Sequence, residues 1–192
     1  IFCYERNNEM IDEYVRIYDD VVPPDFCDDL VNKFEASSEQ WQRESSSSYD
    51  FTQIDMGKNM KSWSAEMGEL LNLLFPCVAN YKEDISPMWP DKHGFESPRI
   101  KRYMPDGVDE FRTHVDVNDY ANAKRFLVFF LYLTDNEAGQ TVVWPNAEDF
   151  KVVSPCKKGS VLAFPPLWTH PHAGMPPIKT PKYIVGSYLH YI

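Results

Sequence analysis

The chain has 192 residues, of which 43% are hydrophobic and 15% aromatic, a composition typical of a folded globular protein with a sizeable core. Its formal net charge of −10 at pH 7 would repel a phosphate backbone, so a nucleic-acid partner is not expected. No apolar run approaches the length that spans a bilayer, so we expect no membrane segment and predict a single domain over residues 1–192.

The four cysteines, Cys3, Cys27, Cys77 and Cys156, lie far apart and form no C-x-x-C pair. This spacing indicates neither a zinc ribbon nor a redox dithiol, so we expect reduced thiols. The chain has no N-x-S/T glycosylation motif, and no basic region followed by an apolar run is visible at its start. These observations favour a cytoplasmic location.

Residues 1–97 are expected to support the rest of the domain. A strand is predicted near Tyr14 to Val22, followed by a helix with Pro24 in its first turn and apolar residues at helical spacing. A second helix is predicted from Ser62 to about Tyr81, packed on a sheet. Between them the polar stretch WQRESSSSYDFTQIDMGKNM lacks sustained periodicity and predicts a mobile loop. That loop is either a disordered connector or, over Ser45 to Gly57, a lid over the substrate.

From Pro98 onward the sequence consists of short segments rich in β-forming residues, separated by Pro, Gly and Asp. The predicted strands are RIKRYM, EFRTHVDV, RFLVFFLYLTD, TVVWP, FKVVSP, SVLAFP and KYIVGSYLHYI. No helical pattern separates them, which disfavours a parallel sheet and favours an antiparallel sandwich or barrel over residues 98–192. The apolar run Phe126 to Leu131 predicts a central strand buried on both faces.

Two residues of metal-ligating type share one predicted strand, in the stretch FRTHVDVND. Alternate side chains of a strand project to the same face, so His114 and Asp116 are predicted to converge. Together they supply two ligands for a divalent metal, and a third must come from a later strand, where His170 and His172 are both candidates. Two histidines and one carboxylate suit a non-haem Fe(II) oxygenase, but zinc in a hydrolase uses similar ligands. An H-x-D pair is also common as a plain surface hydrogen bond.

Four segments, in order, resemble the catalytic core of the 2-oxoglutarate and Fe(II)-dependent dioxygenases, and within them the prolyl 4-hydroxylase-like branch. They are RYMPDGVDEFRTHVD, RFLVFFLYLTDNEAGQTVVWP, SPCKKGSVLAFP and HAGMPPIKTPKY. The stretch YDDVVPPDFCDDLVNKF also resembles the family's opening strand and helix. The likeness implies a mainly β fold with flanking helices (α+β), built on a double-stranded β-helix of the jelly-roll or cupin type. It places the N-terminal helices on the outer face of that core.

The resemblance implies Fe(II) held by His114, Asp116 and His172, with 2-oxoglutarate and O2 as cosubstrates and ascorbate as a further candidate. It implies that Lys182 pairs with the distal carboxylate of 2-oxoglutarate. A lysine pointing into a barrel needs such an anion, and the alternative is an amine that reaches water. The family's spacing from the second histidine ligand to the lysine favours His172 over His170 as the ligand. His170 is then expected to lie beside the metal or to contact the substrate.

The resemblance also places Tyr103 and Tyr132 where phenol hydroxyls meet the cosubstrate's carboxylate, and Arg125 near the substrate groove. Tyr132 can equally fill the core, and Arg125 can be a surface residue. His93 and His190 lack such company and are expected to be structural. The segments AGQTVVWP and KYIVGSYLHY depart from the branch's pattern. These departures affect the expected pocket shape and substrate choice, and not the metal ligands.

The implied reaction is hydroxylation of an unactivated C–H bond with release of succinate and CO2, and peptidyl proline is the first substrate candidate. The partner is then a proline-containing peptide or protein, or a small molecule, and the chain is a monomer or a homodimer. Two other classes stay open. One is a zinc- or manganese-dependent cupin-type isomerase or hydrolase, which would not need an anion-binding Lys182. The other is a non-catalytic β-barrel binding module, which would retain the fold without the activity.

Overall fold

The computed structural model describes residues 12–85, 88–147 and 150–192. Within them are two α-helices, α1 (Pro24–Ala36) and α2 (Met60–Ile85), and two short 3-10 helices, Asp12–Tyr14 and Ser38–Gln40. The strands are β1 (Arg16–Tyr18), β2 (Gln42–Ser45), β3 (Tyr49–Asp55), β4 (His93–Phe95), β5 (Arg99–Tyr103), β6 (Glu110–His114), β7 (Arg125–Tyr132), β8 (Asn136–Val143), β9 (Val152–Cys156), β10 (Val161–Phe164), β11 (His172–Gly174) and β12 (Lys182–Tyr191). Neither helix in these ranges is long and apolar enough to cross a membrane.

The strands form one antiparallel sheet that folds back on itself. Its order is β1-β10-β7-β12-β5-β3-β6-β11-β8-β9, while β2 pairs with β3 and β4 pairs with β12. Strand β3 joins the two layers, because its first residues pair with β6 and its last residues pair with β5. The antiparallel barrel predicted from the sequence is confirmed.

Two hydrophobic cores occupy the two faces of the layer that contains β7 and β12. Alternate residues of β7 divide between them: Leu127, Phe129 and Leu131 belong to the outer core, and Val128 and Phe130 to the inner core. The central strand is therefore buried on both faces, as the unbroken apolar run predicted. The inner core fills the barrel beneath the site described below.

Both helices pack on the outer core, which confirms their predicted place on the outer face. Helix α1 begins with Pro24 in its first turn and buries Phe26, Leu30 and Phe34. Helix α2 extends beyond its predicted bounds at both ends and buries residues at helical spacing. Its buried side chains are Trp63, Leu70, Leu74, Cys77, Val78 and Tyr81.

The serine-rich stretch predicted to be a mobile loop contains two strands instead, and its role as a lid stays a prediction. Residues of that stretch form the hairpin of β2 and β3, and β3 buries Phe51 in the inner core and Ile54 in the outer core. The hairpin is tied down by two arginines: Arg43 forms an ion pair of 2.6 Å with the buried Asp109, and Arg112 donates a 2.6 Å hydrogen bond to the carbonyl of Ser47. The serines suggested a loop, and the burial of β3 on both faces left no alternation in the sequence to indicate a strand.

Other boundaries differ modestly from the predictions. Strand β1 is shorter than the predicted segment, and β8 already begins at Asn136, within the predicted turn. Strands β4 and β11 were missed because each has only three residues. The thiols of Cys27, Cys77 and Cys156 are buried and free, as expected for reduced cysteines, while Cys3 lies outside the described residues.

A tight turn fixes α1 to the barrel and gives a testable stability difference. Gly159 has a φ of +80°, its carbonyl accepts hydrogen bonds from the amides of Val21 and Val22, and a Cβ there would lie 2.4 Å from the Val22 carbonyl oxygen. Gly107 has a φ of +77° but open space around it. We expect Gly107→Ala to cost about 1–2 kcal/mol from backbone strain alone, and Gly159→Ala about 3 kcal/mol or more because overlap is added.

Urea unfolding of both variants would measure this difference in the free energy of unfolding, provided that the dependence on urea concentration has the same slope in both. Equal losses of stability would contradict the claim that the contact with Val22 makes Gly159 special.

Candidate active site

Two histidines from adjacent strands meet at the mouth of the barrel. His114 ends β6 and His172 begins β11, and the two residues are direct partners in the antiparallel register. Their ring centroids are 4.3 Å apart. Cross-strand neighbours on one face lie this close by the geometry of the sheet, so the pairing of β6 with β11 brings the imidazoles together.

Asp116 completes the cluster, although not by the route that alternation predicted. Strand β6 ends at His114, and Asp116 lies in a bend that follows it. Its Oδ1 is 3.4 Å from Nε2 of His114, and its Oδ2 is 3.4 Å from Nε2 of His172. One ligand atom from each of the three residues lies within 4.8 Å of the others. The predicted convergence is confirmed, but the bend produces it.

Hydrogen bonds orient both imidazoles for a metal. Nδ1 of His114 lies 2.7 Å from the carbonyl oxygen of Arg112, and Nδ1 of His172 lies 3.0 Å from that of His170. An Nδ1–H that donates to a carbonyl leaves the lone pair on Nε2, which is the tautomer that binds a metal through Nε2. Both Nε2 atoms are buried without a hydrogen-bond partner in the described structure.

The charges of the cluster suit a divalent cation. Burial lowers the pKa of His114, which keeps that imidazole neutral near pH 7. Burial opposes ionisation of Asp116, but the adjacent imidazoles of His172 and His114 hold its pKa well below the usual range. Two imidazole nitrogens and one carboxylate therefore face a common point.

His170 lies outside this cluster. It precedes β11, in a turn closed by its amide and the carbonyl of Leu167, so strand alternation does not apply to it. Its ring contacts Trp144 at 5.0 Å between centroids, and Thr169 Oγ1 lies 2.8 Å from its Nδ1. The side chain lines a separate apolar cavity of about 730 Å³. The structure thus brings His172, and not His170, to His114 and Asp116.

Lys182 begins β12 and points into the barrel. It is 1% exposed, and its Nζ is buried without a hydrogen-bond partner among the described residues. Its Cα partner on β5 is Tyr103, and Nζ lies 5.0 Å from the centroid of that ring. Burial lowers the pKa of Lys182. The alternative of an amine in water is wrong, and an unpaired ammonium at this depth calls for an anion.

Both predicted tyrosines, Tyr103 and Tyr132, are buried inside the barrel. Tyr103 and Tyr132 are 1% and 0% exposed and belong to the inner core. The hydroxyl of Tyr132 is buried without a geometric hydrogen-bond partner, near the hydroxyls of Thr141 and Ser154. Desolvation raises the pKa of both phenols, so they stay protonated and can donate.

A groove of about 440 Å³ leads to the cluster from solvent. Its walls come from the β2–β3 hairpin, β5, β6 and the segment after β6, and they include Ser46, Ser48 and Tyr49. Arg125 lines it too, with its guanidinium 4.0 Å above the ring of Tyr188. That arginine also donates two hydrogen bonds of 2.8 Å to Glu96, outside the groove's lining.

Arg125 lies at the groove, whereas His93 and His190 lie outside its lining. Arg125 is half-buried at the groove, so the alternative of an ordinary surface arginine does not describe it. Its role toward substrate stays a prediction. His93 on β4 pairs with Tyr191 on β12, and His190 on β12 pairs with Gly94 on β4; neither histidine lines the groove.

Comparison with known families decides between the classes left open by the sequence. The model of the 2OG-Fe(II) oxygenase superfamily matches residues 98–190. Residues 98–190, just under half of the chain, therefore carry the signature of this superfamily, as the four sequence motifs predicted. No curated protein sequence matches the chain. The superfamily and the His-Asp-His cluster together imply Fe(II) and 2-oxoglutarate.

Solved structures with the same fold support the architecture of this oxygenase. A viral collagen prolyl hydroxylase from Paramecium bursaria Chlorella virus-1 is 21% identical, with a TM-score of 0.67 over 93% of this chain and 96% of that one. A Trichoplax adhaerens prolyl hydroxylase, in complex with a hypoxia-inducible factor peptide, is 14% identical, with a TM-score of 0.72 over 96% and 86%. At 13% identity, the α-ketoglutarate-dependent epimerase SnoN from nogalamycin biosynthesis has a TM-score of 0.68 over 96% and 82%. These likenesses establish the double-stranded β-helix, and their different reactions show that the fold does not fix the substrate.

The residues present fit the implied groups. The described site has five polar atoms that are buried without a hydrogen-bond partner: His114 Nε2, Asp116 Oδ2, His172 Nε2, Lys182 Nζ and the Tyr132 hydroxyl. The first three suit a metal ion, and the last two suit a carboxylate. Buried polar atoms are rarely left unpaired, so their concentration here indicates bound groups.

Sequence reasoning missed Lys101, which lies in the groove on the same face of β5 as Tyr103. Its ammonium lies 4.8 Å from the ring centroid of Phe51 and 5.3 Å from that of Phe111. Burial lowers the pKa of Lys101 to about 8, an effect that Asp116 partly opposes. The i, i+2 spacing from Lys101 to Tyr103 in RIKRYM carried the signal that both face inward.

Proposed function

We propose that this oxygenase hydroxylates a peptidyl proline, with His114, Asp116 and His172 as the ligands of Fe(II). The observation that carries the proposal is the set of unpaired Nε2 and carboxylate atoms that converge on one point, with an unpaired Lys182 behind them. Two histidines and one carboxylate on one side of a ferrous ion leave other positions open. When bound, Fe(II) supports the reaction of 2-oxoglutarate, O2 and a C–H bond to give succinate, CO2 and the hydroxylated product.

Each protein group has a separate task in this proposal. Lys182 neutralises the distal carboxylate of 2-oxoglutarate, and the hydroxyls of Tyr103 and Tyr132 donate to the same carboxylate. The carbonyls that accept from Nδ1 of His114 and His172 hold the imidazoles in place, so the ligand atoms need no rearrangement. The apolar inner core below the site excludes water from the reacting groups.

The shape of the approach supports a peptide substrate. The metal ligands are nearly buried, with side-chain exposures of 15% for His114, 8% for Asp116 and 2% for His172. The groove that reaches them is flanked by the β2–β3 hairpin, whose Ser46, Ser48 and Tyr49 offer hydrogen-bonding groups. An extended segment can lie along such a hairpin, and the two prolyl hydroxylases named above share this fold.

The test is turnover of proline-containing peptides with Fe(II), 2-oxoglutarate, O2 and ascorbate. We expect stoichiometric succinate and a product heavier by one oxygen atom on proline. Asp116→Ala should lose both, whereas His93→Ala, a histidine outside the groove, should retain both. Oxidation at another residue type would overturn the proline assignment, and succinate formation that is indifferent to Asp116 would overturn the ligand assignment.

A further inference from the structure

Three cations line the groove beside the candidate metal centre, and two of them already have anionic partners. Arg99 Nε lies 3.2 Å from Asp55, and Arg125 donates to both oxygens of Glu96 at 2.8 Å. Lys101 has neither a hydrogen bond nor an ion pair with any residue in the described ranges, and its ammonium makes cation–π interactions with Phe51 and Phe111. It is the groove's cation that is free to bind a ligand.

The position of the Lys101 ammonium is set by aromatic residues that also touch the metal centre. Phe111 lies under that ammonium, and its ring stacks on the imidazole of His114 with centroids 3.6 Å apart and planes 4° apart. Phe51 contacts both the ammonium and the ring of Phe111. A ligand group bound to Lys101 would therefore lie close to the group that reacts at the metal.

The cosubstrate does not account for Lys101. On β5, Lys101 is two residues, roughly 6–7 Å, nearer the mouth than Tyr103, which pairs with Lys182. Its cross-strand neighbours are Gln53 on β3 and Ile184 on β12. In the proposed function, 2-oxoglutarate uses one carboxylate at Lys182 and its keto-acid end at the metal. Lys101 therefore lies in the groove through which the substrate would approach, and not in the proposed 2-oxoglutarate site.

The charge around Lys101 favours an anion once the metal is bound. Asp116 is the negative group whose charge raises the pKa of Lys101. A ferrous ion on Asp116 would neutralise that carboxylate and add positive charge, and the groove's other carboxylate, Glu44, accepts a hydrogen bond from Gln53 rather than forming an ion pair with Lys101. The chain's overall charge of −10 does not supply a counter-charge, because exposed charges farther than about 8 Å are screened at physiological ionic strength.

We propose that Lys101 binds a carboxylate of the substrate that lies next to the oxidised residue. This inference rests on the proposed function and narrows its substrate class to acidic substrates. The carboxylate belongs either to an aspartate or glutamate beside the target proline in a peptide, or to a free amino acid. A carboxylate binds an ammonium more strongly than an amide of the same shape, so the two forms can be compared directly.

The experiment measures binding without turnover. A pool of X-X-Pro-X-X peptides, with X drawn from Asp, Glu, Asn and Gln, is dialysed against protein loaded with Mn(II) and 2-oxoglutarate in the absence of O2. L-proline and L-prolinamide form a second arm. We expect the wild-type protein to retain the acidic forms over the amides by about tenfold. Preference in the peptide arm or in the amino-acid arm identifies the source of the carboxylate.

Three variants make the result specific to Lys101. Lys101→Met should lose the preference for acid, Lys101→Arg should keep it, and Lys61→Met, an exposed lysine of α2, should behave as wild type. Thermal unfolding and cosubstrate binding of Lys101→Met show whether the variant is folded and loaded.

Other outcomes would overturn the inference. A wild-type protein that retains acids and amides equally, or a Lys101→Met variant that keeps the preference, contradicts it. Weaker binding of 2-oxoglutarate by Lys101→Met, with substrate preference unchanged, assigns Lys101 to the cosubstrate instead. Failure of the wild type to bind 2-oxoglutarate at all is a failure of the proposed function, and the inference falls with it.

Discussion

Replacing His172 by glutamine is expected to abolish Fe(II) binding, whereas the same replacement at His170 is expected to leave it intact. The two histidines are two residues apart, yet only His172 points its Nε2 at Asp116, at 3.4 Å. Loss of a residue that merely orients a ligand typically weakens metal binding by 10–100-fold, so loss of the ligand itself should weaken it by at least about 100-fold. His170 contacts Trp144 and Thr169 and contributes no ligand atom.

Anaerobic addition of Fe(II) and 2-oxoglutarate provides the measurement. The wild-type protein and His170→Gln should show the weak visible charge-transfer band of a ferrous keto-acid complex, and His172→Gln should not. Circular dichroism checks that both variants are folded. A band that survives in His172→Gln but vanishes in His170→Gln would reverse the assignment of the third ligand.

Replacing Lys182 by methionine is expected to weaken 2-oxoglutarate binding and, at the same time, to stabilise the unliganded protein. Truncating one partner of a buried charge pair costs about 2 kcal/mol or more, which corresponds to a loss of affinity of about 30-fold or more. In the absence of 2-oxoglutarate the ammonium of Lys182 has no partner, so its removal should raise the free energy of unfolding by about 1 kcal/mol or more. Fe(II) binding should not change, because no metal ligand is altered.

The gain in stability should depend on pH in a definite direction. Burial lowers the pKa of Lys182 in the folded state below its ordinary value of 10.5, so the unfolded chain binds more protons than the folded protein. The wild type therefore becomes more stable as pH rises through the interval between these two values, and Lys182→Met lacks this contribution. The stability advantage of the variant should shrink as pH approaches 10.5.

Urea unfolding of the metal-free proteins at neutral and alkaline pH, together with calorimetric titration of 2-oxoglutarate, would measure both effects. Lys179→Met is the matched control, since that lysine is 70% exposed and pairs with Glu137. A Lys182→Met variant that is less stable than wild type, yet binds 2-oxoglutarate normally, would show that the lysine serves the fold rather than the cosubstrate.

Much of the fold could be read from local pattern. The apolar run Phe126 to Leu131 predicted a strand buried on both faces, and β7 is such a strand because its two faces pack into the outer and inner cores. Pro24 and the helical spacing after it located α1. The β2–β3 hairpin was missed, since its serine-rich composition suggested a loop and the ion pair of Arg43 with Asp109 joins residues far apart in sequence.

Some residues of the candidate site could be predicted from the sequence, and others could not. His114, Asp116 and Lys182 are named by a family likeness in their motifs, and the structure places all three in the barrel. Lys101 resembles any other lysine in a strand, so its importance appears only when Phe51, Phe111 and the metal centre surround it. Arg125 could not be told from a surface residue until Glu96 and Tyr188 were seen against it.

The sequence by itself determined which chemistry is available, because the identity of a ligand and the period of a strand are properties of a few neighbouring residues. Only the tertiary structure decided which of two histidines joins His114, since that choice depends on the register of β11 against β6 and on where β11 begins. The same holds for the lysines: whether an ammonium is buried, paired or free is fixed by side chains from other strands, and those contacts have no signature in local sequence.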